Sequence, residues 1–244
     1  MRHSFTAKLS WVLVFLAVVS VASTAQTEKP NTSPDAKAEQ IVQRGLQSVG
    51  GAAYLNVKTL IGRGYFTDFK DGVSGIPSKF VDYILYPDKE RTEFIGGGAR
   101  IIQTNDRDQG WLFDSAAKTL KDQNAEQVAD FRLAMRTSFE NLLHGWWRQQ
   151  GAALSYIGRR EAGLAKRNET VRITYPDGFW IEYEFAAGDG LPAKVLYERK
   201  HKITESGEIE SVSEEDRLFK PINVDGVTIP YIVDHFRNGV QTSR

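Results

Sequence analysis

The 244-residue sequence contains no cysteine. That absence excludes disulfides, a thiolate nucleophile, Cys-ligated zinc, iron–sulfur clusters and a lipidated N-terminal cysteine. Histidine is scarce, at four, and methionine occurs twice. His3 precedes the main body of the chain. The remaining three, His144, His201 and His235, show neither an i, i+4 pair on a helix nor a His-Glu metalloprotease spacing. A zinc site needs three or four convergent ligands, so no metal is expected. His144, beside Trp146 and Trp147, reads as an ordinary satisfied histidine.

Net charge is lacking too, with 31 Lys+Arg against 31 Asp+Glu. Without Arg2 and Lys8, the two charged residues of the first 25, 29 basic residues face 31 acidic ones. A near-neutral chain has no general attraction for nucleic acid or anionic lipid heads. No G-x-S-x-G elbow is present. Gly96-Gly97-Gly98 lacks the Lys-Ser/Thr ending of a phosphate loop and reads as a hairpin turn. Asp106-Arg107-Asp108 does not continue into the other ligand positions of a calcium loop. The carboxylates between Glu205 and Asp216 lie on a strongly polar strand, where exposure is the simplest reading. No catalytic residue and no cofactor is therefore assigned, and the chain is not expected to be an enzyme. Arg159-Arg160 and Lys166-Arg167 flank a turn; a solvated loop outweighs contact with phosphate head groups or an acidic partner.

Long apolar runs are also missing. A bilayer-spanning helix needs ~20 apolar residues. The longest such stretch, Leu9–Val21, has 13. Arg2, His3 and Lys8 precede it, and Ala22, Ser23, Thr24 and Ala25 follow. This is the layout of a signal peptide, with cleavage expected after Ala25 and an uncleaved anchor as the rival. Residues 1–25 are thus an address, 26–35 a linker, and 36–244 one domain exported to a periplasm, where a cysteine-free chain is at home.

What remains is ordinary globular material, 41% hydrophobic and 25% charged. Ser33-Pro34 fits an N-cap followed by proline in the first helical turn. Ala38, Ile41, Val42, Gly45, Leu46 and Val49 form a helical stripe, which Gly50-Gly51 ends. From Lys58 the period becomes two. Strands are expected near Leu60–Phe66, Lys79–Tyr86, Glu90–Ile95, Ala99–Thr104 and Gly110–Asp114, separated by turn residues too few for crossover helices. Asn124 and Gln127 form a capping-box pattern. Val128, Phe131, Met135, Phe139, Leu142 and Trp146 then make one apolar stripe of a long helix stopped by Gly151. Strands return at Ala153–Arg160, Thr170–Tyr175, Phe179–Phe185, Ala193–Lys200, Glu208–Phe219 and Val227–Phe236. In the hairpin about Pro176-Asp177-Gly178, Val171, Ile173, Ile181, Tyr183 and Phe185 face inward. Arg172, Glu182 and Glu184 face water. Pro230 marks an edge or a bulge.

These elements define an α+β fold. It is a curled antiparallel half-barrel of about eleven strands, with a long central helix and an N-terminal helix covering the concave face. Two helices underfill so large a curl, which points to a cavity. The order of Gly50-Gly51, Val57–Leu60, Gly62-Arg63-Gly64, Tyr86-Pro87-Asp88-Lys89-Glu90-Arg91 with Glu93, Gly110-Trp111, Leu191–Val195 and Ile229-Pro230 resembles the LolA-type lipoprotein-carrier superfamily and its LppX-like lipid-binding relatives. The likeness spans roughly residues 38–240. It implies a non-enzymatic, monomeric carrier, whose cavity takes acyl chains of lipids or lipoproteins between inner-membrane donor and outer-membrane acceptor proteins. Some domains of this type instead sense or bind partners in envelope-stress signalling. After Asn238-Gly239 only Val240–Arg244 remain, so an edge strand is expected to be missing or left open to a partner.

Phe131, Met135, Phe139, Leu142, Trp146, Trp111, Phe113 and Tyr183 are the candidate cavity and lid residues, unless they simply fill a solid core. Arg91 has two readings. The resemblance makes it a latch that holds lid carbonyls over an empty cavity; the alternative is a solvent-facing arginine paired with Glu93.

Overall fold

The computed structural model describes residues 35–202 and 209–244. The expected leader, its cleavage point, nearly all of the linker, and Glu205 and Glu208 lie outside those residues. No helix among the described residues is long and apolar enough to cross a membrane.

Helix α1 covers Ala36–Ser48. Asp35, rather than Ser33, is its N-cap: the carboxylate accepts from the backbone N–H of Lys37 and Ala38 at 2.7 and 3.3 Å. An ionised cap satisfies two orphan donors at once and suits the positive end of the helix. Its own N–H is spent on the Leu154 carbonyl, which pins the helix start to the sheet. Gly50 and Gly51 end the helix with backbone bonds back to Gln47 and Leu46. A short helix α2, Ala52–Leu55, follows.

The strands then run in order: β1 Thr59–Phe66, β2 Phe69–Lys70, β3 Val73–Ser74, β4 Ser78–Leu85, β5 Lys89–Gly96, β6 Ala99–Asp106, β7 Gln109–Asp114 and β8 Thr119–Asp122. Helices α3, Ala125–Thr137, and α4, Phe139–Leu143, precede a 3₁₀ turn at Trp146–Gln150. The rest is β9 Ala153–Glu161, β10 Arg167–Thr174, β11 Trp180–Ala186, β12 Pro192–Lys202, β13 Ile209–Val224, β14 Val227–Arg237 and β15 Val240–Ser243. Fifteen strands among the described residues replace the expected eleven. The additions are the short β2, β3, β8 and β15, whose few residues give no readable alternation.

Six strands pair in the order β1-β4-β5-β6-β7-β8, and seven in the order β15-β14-β13-β12-β11-β10-β9. Every pairing is antiparallel. The two sheets meet at a seam: Thr67 and Arg244 exchange backbone bonds of 2.8 and 2.9 Å, and Asp68 bridges Ser243. The last strand is therefore present, and the seam bonds the end of its outer edge. Arg244 also forks onto the buried Asp234 at 2.6 and 2.8 Å. The result is an open, curled half-barrel.

The expected single long helix is broken. Ser138 leaves helical geometry (ψ 154°), and its hydroxyl accepts from the Asn141 N–H, so a new helix starts there. Asn141 locks the corner by donating to the Arg136 carbonyl at 2.6 Å and the Tyr175 hydroxyl at 2.8 Å. The capping box of Asn124 and Gln127 is formed as expected.

Among the described residues the buried core lies against the seven-stranded sheet. Ile41, Val42 and Leu46 of α1 and Phe139, Leu142 and Leu143 of α4 pack on Val171, Ile173, Ile181, Tyr183 and Phe185. Register explains the last group, because Val171 lies opposite Tyr183 and Ile173 opposite Ile181. Each such buried side chain contributes roughly 1.5–3 kcal/mol. Among the described residues no buried apolar side chain comes from the six-stranded sheet.

One expectation about the outer face needs correction. Glu182 and Glu184 do not meet water; each is about 1% exposed. Glu182 is held by Arg172 and Arg160, and Glu184 by Asn168 and Lys194. The cationic heads cap the carboxylates directly, and the cations' own side chains remain partly exposed.

Candidate functional site: a hollow beneath the broken helix

Because α4 is sunk into the core and α3 turns away at Ser138, the sheet beyond Val195 is left partly unroofed. A hollow of about 400 Å³ results. Ala134, Thr137, Ser138, Phe139, Glu140 and Leu143 roof it, and Val49 and Tyr54 close one end. Its floor comes from alternate residues of β12, β13 and β14: Val195 and Tyr197, then Glu214, Asp216 and Leu218, then Val233 and His235. Pairing of Val195 with Asp216, and of Asp216 with His235, fixes this order.

The apolar part of the floor runs from Val195 through Leu218 and Val233 toward Ile229 and Val49. At the other end the floor is charged. Glu214 accepts from Arg199 and Arg237, each at 3.0 Å, and Arg199 also reaches Asp130 of α3 at 2.7 Å. His235 meets Asp216 through Nδ1 at 2.5 Å. Burial alone would lower the His235 pKa, but the hydrogen bond and charge of Asp216, with Asp234 and Glu214 behind it, raise it overall. Tyr197 is raised by burial and by Asp216 and Glu214. At the roof, burial and Glu140 push the Tyr54 hydroxyl up, and Tyr86 reaches the same carboxylate at 3.4 Å.

The candidate residues named from the sequence fall into four places. Phe139 lines the hollow. Leu142 and Tyr183 are buried in the solid core, with the Tyr183 hydroxyl on the Ser138 carbonyl at 3.2 Å. Phe131, Met135 and Trp146 line a separate groove with Arg107, Arg132 and Arg136. Trp111 and Phe113 lie on β7, across the sheet from the helices. Gly110, their neighbour, faces Gln123 and Asn105 on the helical side, and alternation turns Trp111 away. Arg91 shares that outer face and donates to Glu93 at 3.0 and 2.8 Å. Its observed partner is Glu93 of its own strand, not a carbonyl of the helices. His144 stacks on Trp146 at 4.6 Å, and burial, then Lys58, lowers its pKa.

The floor residues Val195, Tyr197, Glu214, Asp216, Leu218, Val233 and His235 were not singled out from the sequence. A signal existed. Val212 and Leu218 have the parity of an inward face, and Glu214 and Asp216 share it, so two carboxylates had to point inward.

Among the described residues no three His, Asp or Glu side chains are placed to hold a metal. No protein-family model matches the chain, and no curated protein matches it. Solved structures do. A LolA superfamily protein from Nitrosomonas europaea superposes with a TM-score of 0.50 at 10% identity, over 84% of this chain and 89% of that one. The MucA/MucB complex of Pseudomonas aeruginosa aligns over 86% and 99% at 9% identity, with a TM-score of 0.27. The fold is thus LolA-like: an α+β, mostly antiparallel, unclosed half-barrel.

Proposed function

We propose that this chain is an exported, non-enzymatic binding protein that shelters an acyl chain of a lipid or lipoprotein in the hollow beneath α3 and α4. The observation that carries the reading is the hollow itself. Its walls are chiefly apolar, and its volume of about 400 Å³ falls in the ~300–1,000 Å³ range of ligand sites. Moving a chain from water into such walls gains ~0.8 kcal/mol per methylene. The charged end supplies a place for a head group, so one amphiphile fits both parts. The leader-like Leu9–Val21 and its small-residue exit support export to a periplasm, with membrane donors and acceptors as partners.

Release requires that the hollow be able to open. Helix α3 suits that role, because Phe131 and Thr137 are its buried residues, whereas α4 buries four of its five. A rigid-body swing of α3 about Ser138 would widen the roof without disturbing the core. Native mass spectrometry of the purified protein tests the reading. Bound lipid masses are expected, and Val233→Trp, which fills the floor, is expected to abolish them. An unliganded mass, together with no uptake of a fluorescent acyl probe, would overturn it.

A further inference from the structure

The charged end of the hollow is chemically uneven, and the unevenness selects a head group. Glu214 is taken by Arg199 and Arg237, and Asp216 by His235. Thr137 donates to the Leu133 carbonyl. Among the described residues the Nε2 nitrogen of His235 has no protein partner, and the ring is half-exposed at the rim of the hollow. Resting on the acyl-binding reading above, we infer that His235 receives the head of the bound amphiphile. The head it takes is an oxyanion: the carboxylate of a fatty acid or the phosphate of a single-chain phospholipid.

Asp216 is an acceptor, so it keeps a proton on Nδ1 in both charge states of the ring. When the ring is protonated, Nε2–H is a charged donor directed away from Asp216, and an oxyanion is its natural acceptor. When the ring is neutral, Nε2 carries a lone pair and repels the same oxyanion.

The surroundings reinforce this switch. Charged groups about His235 come from three strands and two helices: Arg199, Arg237 and protonated His235 stand with Asp130, Glu140, Glu214 and Asp216, while Asp234 and its partner Arg244 lie on the opposite face of β14. Loss of the His235 proton removes a cation from a set in which carboxylates already outnumber cations. Oxyanion binding is therefore present at low pH and fades as pH rises through the His235 pKa. Asp216 holds that pKa above its ordinary value, which keeps the site competent nearer neutrality.

The test compares decanesulfonate, whose head stays ionised throughout, with decanol, each displacing a fluorescent apolar probe from the intact protein at about pH 5.5 and about pH 9. Decanesulfonate is expected to bind about tenfold more tightly at the lower pH, and decanol equally at both. In His235→Gln the sulfonate ratio is expected to fall to about one. An NMR titration of the His235 ring in the unaltered protein needs no variant: added sulfonate should raise its pKa. A pH-independent sulfonate affinity, or an unmoved ring pKa, overturns the head-group assignment while leaving acyl binding intact. Failure of both ligands to bind overturns the acyl-binding reading as well. Decanoate and decyl phosphate, run in the same assay, separate the two sources by which binds more tightly.

Discussion

At Gly45 a side chain would drive its Cβ into the ring of the buried Phe185. Alanine is favoured over glycine in a helix by about 1 kcal/mol, yet here the overlap decides. Gly45→Ala is expected to destabilise the fold by about 1–3 kcal/mol, read as a lower urea midpoint. Glu90 shows the opposite case. Burial first, then the charge and shared hydrogen bond of Asp82, raise its pKa from 4.5 to about 7. A carboxyl whose folded pKa exceeds its unfolded value stabilises only while protonated, so stability falls as pH rises from about 4.5 to about 7. Glu90→Gln is expected to stabilise the protein near pH 8, with the difference vanishing near pH 4; urea melts at the two pH values check it. Individual residues were unevenly legible. Inward Val171 and Ile173 follow from alternation, but the acid pair of Asp82 and Glu90 does not. Asp82 sits among Phe80 and Ile84 on β4, and only register brings Glu90 beside Ile84.

Among the elements, the break between α3 and α4 matters most. The apolar stripe from Val128 to Trp146 keeps helical spacing straight through it, so pattern alone joins the two helices. Ser138 and Asn141 restart the chain by local hydrogen bonds, which a hydrophobic period does not register. Asn141→Leu removes the partner of Tyr175 and of the Arg136 carbonyl, and should cost about 1–3 kcal/mol by chemical denaturation. Helix α3 is held at its rim by Asp130 on Arg199 and by Arg136, whose guanidinium lies 3.7 Å from the Tyr175 ring centre. Amide exchange should therefore be faster throughout α3 than in α4, which is buried in the core. Equal protection in both helices would contradict a moving α3. The short β15 was hidden for a different reason. It pairs with β14 through the Asn238-Gly239 turn, but four residues are too few to show alternation, and the contact of its end with Thr67–Asp68 is a seam that no local pattern encodes.

For the whole molecule, the half-barrel and the helices on its inner side were legible because eleven strands and both helical stripes carry strong periodicity. The site was only partly so. Phe139 lines the hollow, whereas Leu142 and Tyr183 lie in the core and Trp111 and Phe113 on the outer face. Large inward aromatics look alike in sequence whether they fill a core or edge a void. The floor of the hollow depends on three strands meeting in one register, information that lies between segments rather than within any of them. The central claim is that an acyl chain occupies this floor. It is tested most directly by photocrosslinking with a fatty chain carrying a diazirine near its end, followed by peptide mapping. Labelling is predicted on residues about Val195, Leu218, Val233 and Phe139. Labelling confined to the outer faces of the sheets, or saturable nowhere, would contradict the account.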